Sequence, residues 1–287
     1  MKSDRAFFGP GGNSRAFYDA GYKSTVDAPG WVSSIGLDAY EYEAGSGLTA
    51  SAGTLLLIGN KARDAGIRMS LHAPYFISLS GVEEVKRLGS LRYISQSLSA
   101  AKLLGAYLIV VHTGSAAKIS RAEAMRLAAD TLYHLLDEIP DNGVLIGLET
   151  MGKINQLGTL EEVIEQCCVD RHYVPVVDFG HLNARNGGNA FPTADHYRAI
   201  FDRIGETLGD EIARNLHCHF SKIEYTAAGE KRHVTFEDTV YGPSFEPLME
   251  AIVKEDLSPR IICESAGTMP EDALTMKQYY LSLKDNA

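Results

Sequence analysis

The chain has 287 residues, 45% hydrophobic and 22% charged, which supplies a large core and excludes a disordered chain. Lys and Arg number 27 against 37 Asp and Glu, and the formal charge of −10 excludes nucleic-acid binding that rests on phosphate neutralisation alone. Four cysteines without a C-x-x-C pair exclude a disulfide framework and a thiolate zinc site, and no run approaches the roughly 18 apolar residues of a membrane span.

From Phe7 onward, short apolar runs alternate with stretches of helical period, eight pairs in all. The runs are Ala6–Gly9, Leu37–Glu43, Ile67–His72, Tyr107–His112, Val144–Glu149, Val174–Asp178, Asn215–Phe220 and Arg260–Glu264. The longest helical patterns lie over Val82–Leu104 and Arg121–Ile139. Ser120 with Glu123 and Thr159 with Glu162 have the capping-box spacing, the second opening a helix over Leu160–Cys167. Gly66, Gly105 and Gly209 stand where helices should stop. Regular alternation of this kind predicts a single (β/α)8 TIM barrel spanning residues 1–287, in a soluble, untargeted cytoplasmic protein. The stretch Gly9–Ser14 lacks both phosphate-loop spacings and reads as a tight turn.

The strand ends carry the chemistry. VPVVDFGHLN (Val174–Asn183) delivers Asp178 and, three residues on, His181; the other runs end in His72, His112, Glu149, His217 with His219, and Glu264. Parallel barrels hold their active sites at that face. Imidazoles and carboxylates without thiolates suit zinc, manganese or iron. His134, His172 and His196 fall in helical or polar segments and read as surface residues.

Taken together, LHAPYFISLS (Leu71–Ser80), VVHTGS (Val110–Ser115), LETMGKINQLG (Leu148–Gly158), VDFGH (Val177–His181), LHCHFSK (Leu216–Lys222), Arg232-His233 and ICES (Ile262–Ser265) resemble the endonuclease IV family. These are zinc-dependent nucleases that cut DNA at abasic sites, within the xylose isomerase-like superfamily. The resemblance runs from about residue 35 to the C-terminal helix. It implies two or three zinc ions held by His72, His112, Glu149, Asp178, His181, His217, His233 and Glu264. The first metal would take His72, His112 and Glu149, the second Glu149, Asp178, His217 and Glu264, and the third His181 and His233. His217 is preferred to His219 because it stands five residues before Lys222, as the family's ligand does before its lysine. Glu149 and Glu264 would be catalytic, orienting a water that attacks phosphorus, and Tyr75 and Phe76 would contact abasic-site DNA.

Two departures qualify the resemblance. Lys231 occupies the place of an aspartate two residues before the last histidine, so the third site is weak, missing, or completed by Glu230, Glu237 or Asp238. YEYEAGSGLTA (Tyr40–Ala50) has no Arg or Lys where the family carries a basic, DNA-entering segment. A second class therefore stays open: a divalent-metal sugar isomerase or epimerase. It needs only Glu149, Asp178, His217 and Glu264, with Glu149 and Glu264 as the acid/base pair and His112 and His181 on a small sugar substrate.

Overall fold

The computed structural model describes residues 5–138 and 142–286, so Ile139 of the expected helix lies outside the described residues. Eight parallel strands form one sheet: β1 (Phe7–Pro10), β2 (Ala39–Glu43), β3 (Arg68–His72), β4 (Leu108–His112), β5 (Leu145–Glu149), β6 (Tyr173–Asp178), β7 (His217–Phe220) and β10 (Arg260–Cys263). The order β1-β10-β7-β6-β5-β4-β3-β2 returns the last strand beside the first. Asp38 N to Phe8 O (2.9 Å) and Gly12 N to Glu41 O (2.9 Å) bond across the remaining seam. The result is a TIM barrel, and each of the eight predicted strands is one of its staves.

The principal core lies between the sheet and its helices, around Phe8, Ile58, Leu71, Leu104, Phe179 and Phe220. Inside the barrel, Leu108, Val110 and Val176 form one apolar plug and Phe7, Ala39 and Ile262 another. Successive residues of a strand point to opposite faces, so the inward series continues two residues at a time towards the C-terminal mouth. Among the described residues no helix is long and apolar enough to cross a membrane.

Local chemistry sets most boundaries. Thr159 and Glu162 complete the reciprocal capping box of helix Leu160–Cys167, and Ser120 Oγ accepts from Glu123 N at the start of Arg121–Glu138. Gly66 and Gly105 take left-handed backbone at helix ends. The helical pattern over Val82–Leu104 is two helices, Glu84–Gly89 and Leu91–Leu104. At the break Ser90 Oγ donates to Lys86 O and accepts from Ser78 N, each at 3.3 Å, and this side-chain competition for backbone groups divides the run.

The seam depends on glycine at one place. A Cβ at Gly9 would lie 1.7 Å from the carbonyl oxygen of Ala39, so β1 and β2 could not keep their separation. Gly9→Ala should cost about 1–3 kcal/mol by overpacking, read as a drop of several degrees in melting temperature. An unchanged melting curve would show that the seam is not tight at this position.

Candidate metal centre

The inward series of the strands ends in polar groups. β2 contributes Glu41 and Glu43, β3 His72, β4 His112, β5 Glu149, β6 Asp178, β7 His217 and His219, and the residue after β10 is Glu264. Asp178 also caps the next helix, Phe179–Arg185, its Oδ1 accepting from His181 N at 2.7 Å, which brings His181 over the same mouth.

Among the described residues five groups have ligand atoms within 4.8 Å of one another, and three of them form the donor sets: His72, His112 and Glu149; Glu149, Asp178, His219 and Glu264; and His181, Glu230 and His233. The other two groups are Glu41, His217 and His219, and Glu41, Glu43 and Glu264. Glu149 belongs to the first two donor sets. Its Oε2 lies 3.3 Å from His112 Nε2 and 3.6 Å from His72 Nε2, and its Oε1 lies 3.0 Å from His219 Nδ1 and 3.5 Å from His181 Nδ1. His72, His112, Glu149, His181, Glu230, His233 and Glu264 border a cavity of about 890 Å³, with Glu43, Lys153 and Tyr75 also on its wall, while Asp178 and His219 are not part of its lining.

One expected member of the second set is replaced. The register pairs Asp178 with His219 and Val176 with His217, so His219 reaches the level of the carboxylates and His217 sits one layer deeper. There His217 meets Glu41 (Nε2 to Oε2, 3.1 Å) and Tyr107. His217 falls instead in a neighbouring group with Glu41 and His219.

The third set uses an element that the sequence reading lacked. β8 (Lys222–Thr226) and β9 (Gly229–Val234) form an antiparallel hairpin over the mouth. Glu230 pairs with Tyr225 and Arg232 with Glu224, which leaves Lys231 as the extra residue of a β-bulge. Residues three apart on a regular strand face opposite sides; the extra residue restores Glu230 and His233 to one side. Lys231 Nζ is directed instead to Glu224 Oε1, 2.5 Å away. Glu230, one of the three substitutes considered for the aspartate, is thus the one placed with His181 and His233, whereas Glu237 and Asp238 are outside the set. Glu41 and Glu43 went unrecognised, although the alternation Tyr40-Glu41-Tyr42-Glu43 was a signal that two carboxylates share a strand face.

The residues fit divalent cations. Glu149 Oε2 and Asp178 Oδ2 are buried without a hydrogen-bond partner, a costly state that a cation would relieve. Outer ring nitrogens are tied down: His72 Nδ1 to Ala73 O (2.9 Å), His181 Nδ1 to Thr150 O (3.0 Å) and His233 Nδ1 to Ser221 Oγ (2.8 Å). Their Nε2 atoms are left for the donor sets, the arrangement by which outer partners orient metal-binding imidazoles. Tyr75 is 59% exposed and lies over His112, ring centroids 5.5 Å apart, while Phe76 meets Tyr93 edge-on.

Without cations the electrostatics are unbalanced. Burial pushes the Glu264 carboxyl up to about 8 and that of Glu43 to about 7. Burial opposes the His72 imidazolium, but the neighbouring Glu149, Glu43 and Glu41 carboxylates raise its pKa to about 10. Burial holds His112, His217 and His233 below the ordinary histidine value, so their influence on stability falls below about pH 6.5. Above it, the folded state keeps protons on Glu43, Glu264 and His72 that the unfolded chain has released. The metal-free protein should therefore lose stability steadily from pH 6.5 to 9, followed by thermal melting in chelator, and saturating zinc should flatten the slope. A melting temperature that rises over this interval would contradict these protonation states.

A family model described as xylose isomerase-like TIM barrel matches residues 29–279. An uncharacterized protein of Methanocaldococcus jannaschii is 30% identical over 215 residues, covering 74% of this chain and 77% of that protein. The "Probable endonuclease 4" of Mycoplasma pneumoniae is 28% identical over 196 residues, 66% of this chain and 64% of that protein. Among solved structures, a D-tagatose 3-epimerase-like protein superposes with a TM-score of 0.71 at 17% identity over 98% of both chains. Endonuclease IV from Thermus thermophilus does so with a TM-score of 0.67 at 17% identity, over 99% of this chain and all of that one. At such identities the two structures establish a common fold, and the family match extends over most of the barrel and its donor sets. The chain belongs to the xylose isomerase-like TIM-barrel family.

Proposed function

We propose that this chain is a metal-dependent phosphodiester hydrolase that cuts DNA immediately 5′ to abasic sites. The observation that carries this reading is the presence of three donor sets at one barrel mouth, two of them sharing Glu149 and each with at least two members on the cavity wall. A sugar epimerase needs only one set. The mycoplasmal relative and the Thermus structure bear the name endonuclease, and the motif resemblance supplies abasic DNA as substrate.

In this reading zinc is held by His72, His112 and Glu149, by Glu149, Asp178, His219 and Glu264, and by His181, Glu230 and His233, with manganese or iron compatible with the same donors. Bound divalent ions supply a lowered water pKa and stabilisation of charge on phosphate oxygens. Glu264 borders the cavity with Oε1 3.4 Å from His219 Nδ1. It orients the attacking water and accepts its proton as phosphorus bonds to the water oxygen and releases the 3′-oxygen of the preceding nucleotide, which takes a proton from solvent to leave as a 3′-hydroxyl. Glu149, enclosed by four imidazoles, keeps the first two sets in register. Lys153, the one lysine or arginine on the described cavity wall, faces the phosphate, and the exposed face of Tyr75 receives the extruded sugar, with Phe76 beside it.

Cleavage of a labelled duplex carrying one abasic-site analogue tests the reading, with protein reloaded with zinc or manganese and a chelated control. Chelator-sensitive cutting 5′ to the lesion is expected. His219→Ala should lose cation from the second set and lower turnover at least about a hundredfold. Phe76→Ala should keep its metal content and weaken only the apparent affinity for DNA.

A specific observation favours a second reading. The cavity wall carries Glu43, Glu149, Glu230 and Glu264 against one lysine, a balance suited to an uncharged polyol rather than a polyanion, and the fold is shared with sugar epimerases. Glu149 and Glu264 would then move a proton beside a sugar carbonyl. Fully metallated protein that leaves abasic DNA intact, yet exchanges a carbon-bound sugar proton with solvent deuterium, would replace the first reading by this one.

A further inference from the structure

Below the three donor sets, a second layer of polar groups is sealed inside the barrel. Glu41 is 0% exposed, yet it lies among strands whose other inward residues are largely apolar. A buried carboxylate must find donors or it destabilises the fold. Its Oε2 accepts from His217 Nε2 at 3.1 Å. Its Oε1 lies 2.9 Å from His219 Nε2, outside the angle of a straight hydrogen bond, and has no other partner. Beneath, Tyr107 hydroxyl meets His217 Nδ1, and the Arg260 guanidinium lies 4.2 Å from the centre of the Tyr107 ring.

The protons in this stack can be assigned from the partners. A phenol has one hydrogen to give, so Tyr107 donates to His217 Nδ1 and His217 carries its own proton on Nε2, towards Glu41. That proton has two neighbours, Glu41 Oε2 at 3.1 Å and His219 Nε2 at 3.3 Å; the nearer carboxylate is the stronger acceptor, which leaves Oε1 as the acceptor facing His219. The other ring nitrogen of His219, Nδ1, lies 3.0 Å from Glu149 Oε1 and 3.4 Å from Glu264 Oε1, among the carboxylates of the second donor set.

We infer that Glu41 is a positioning residue for His219. It accepts the Nε2–H of that ring and so presents the Nδ1 lone pair to the set formed with Glu149, Asp178 and Glu264, while His217 and Tyr107 hold Glu41 from below. The inference rests on that set being a metal site. It does not depend on which substrate is turned over, because either reaction requires His219 in the same orientation. It also gives β2 a function: the strand whose following segment lacks the basic residues of a DNA-binding loop contributes the carboxylate that aims a ligand.

The test combines nuclear magnetic resonance with cation binding. Long-range ¹H–¹⁵N spectra of zinc-loaded wild-type protein labelled at histidine should show His219 protonated at Nε2 and unprotonated at Nδ1. Glu41→Gln should bind the same number of zinc ions with affinity at the second set about 10–100-fold weaker. A proton on Nδ1 of His219, or unchanged affinity in Glu41→Gln, would overturn the role of Glu41. Loss of one whole ion from the variant, with the rest bound as tightly as before, would also overturn it by making Glu41 a ligand. Wild-type protein that binds no zinc at the second set would instead refute the metal reading itself, and the wild-type spectrum needs no variant to fold.

Discussion

A single buried carboxylate, Glu149, fixes much of what surrounds it. It is 1% exposed and is approached by imidazoles from β3, β4, β7 and the helix after β6. A lone charge at that depth would cost several kcal/mol. The four rings hold it well below the usual carboxylate range against the opposing effect of burial. Their positive or metal-directed nitrogens would in turn be uncompensated without it. The barrel therefore places its polar groups in a mutually dependent cluster, and replacing one member alters the balance of all the others.

Strand parity delivers that cluster. Each of the eight staves faces inward at every second residue, so a difference of one layer separates His219, level with Asp178, from His217, level with Val176. The hairpin over the mouth solves a parity problem of its own. Lys231, the extra residue of its bulge, lets Glu230 and His233 converge although they are three positions apart. Gly229 assists: its left-handed backbone lies against Gly152, where a Cβ would come within 2.2 Å of the carbonyl oxygen, so the hairpin tip docks closely on the loop after β5.

The barrel itself was legible because its signals are local: short apolar runs, capping residues and glycine stops at regular intervals. So was the presence of ionisable groups at the strand ends, since His72, His112, Glu149, Asp178, His181 and Glu264 each follow an apolar run. What the sequence could not resolve was register and non-local pairing. Choosing between His217 and His219 requires knowing which residue of β7 lies opposite Asp178. Recognising Glu230 requires the hairpin and its bulge, and both depend on pairing between segments that carry no strong apolar pattern. Glu41 and Glu43 were hidden for a related reason: charges in a strand read as solvent-facing unless the barrel interior is known to be polar at that level.

Zinc titration of chelator-treated protein, with the bound ions counted by native mass spectrometry, bears on the whole arrangement at once. Three donor sets predict three zinc ions per folded chain, and Glu149→Ala should weaken two of them together while leaving the ion at His181, Glu230 and His233. A wild-type protein that saturates at a single ion would contradict the three-set centre and the hydrolase built on it.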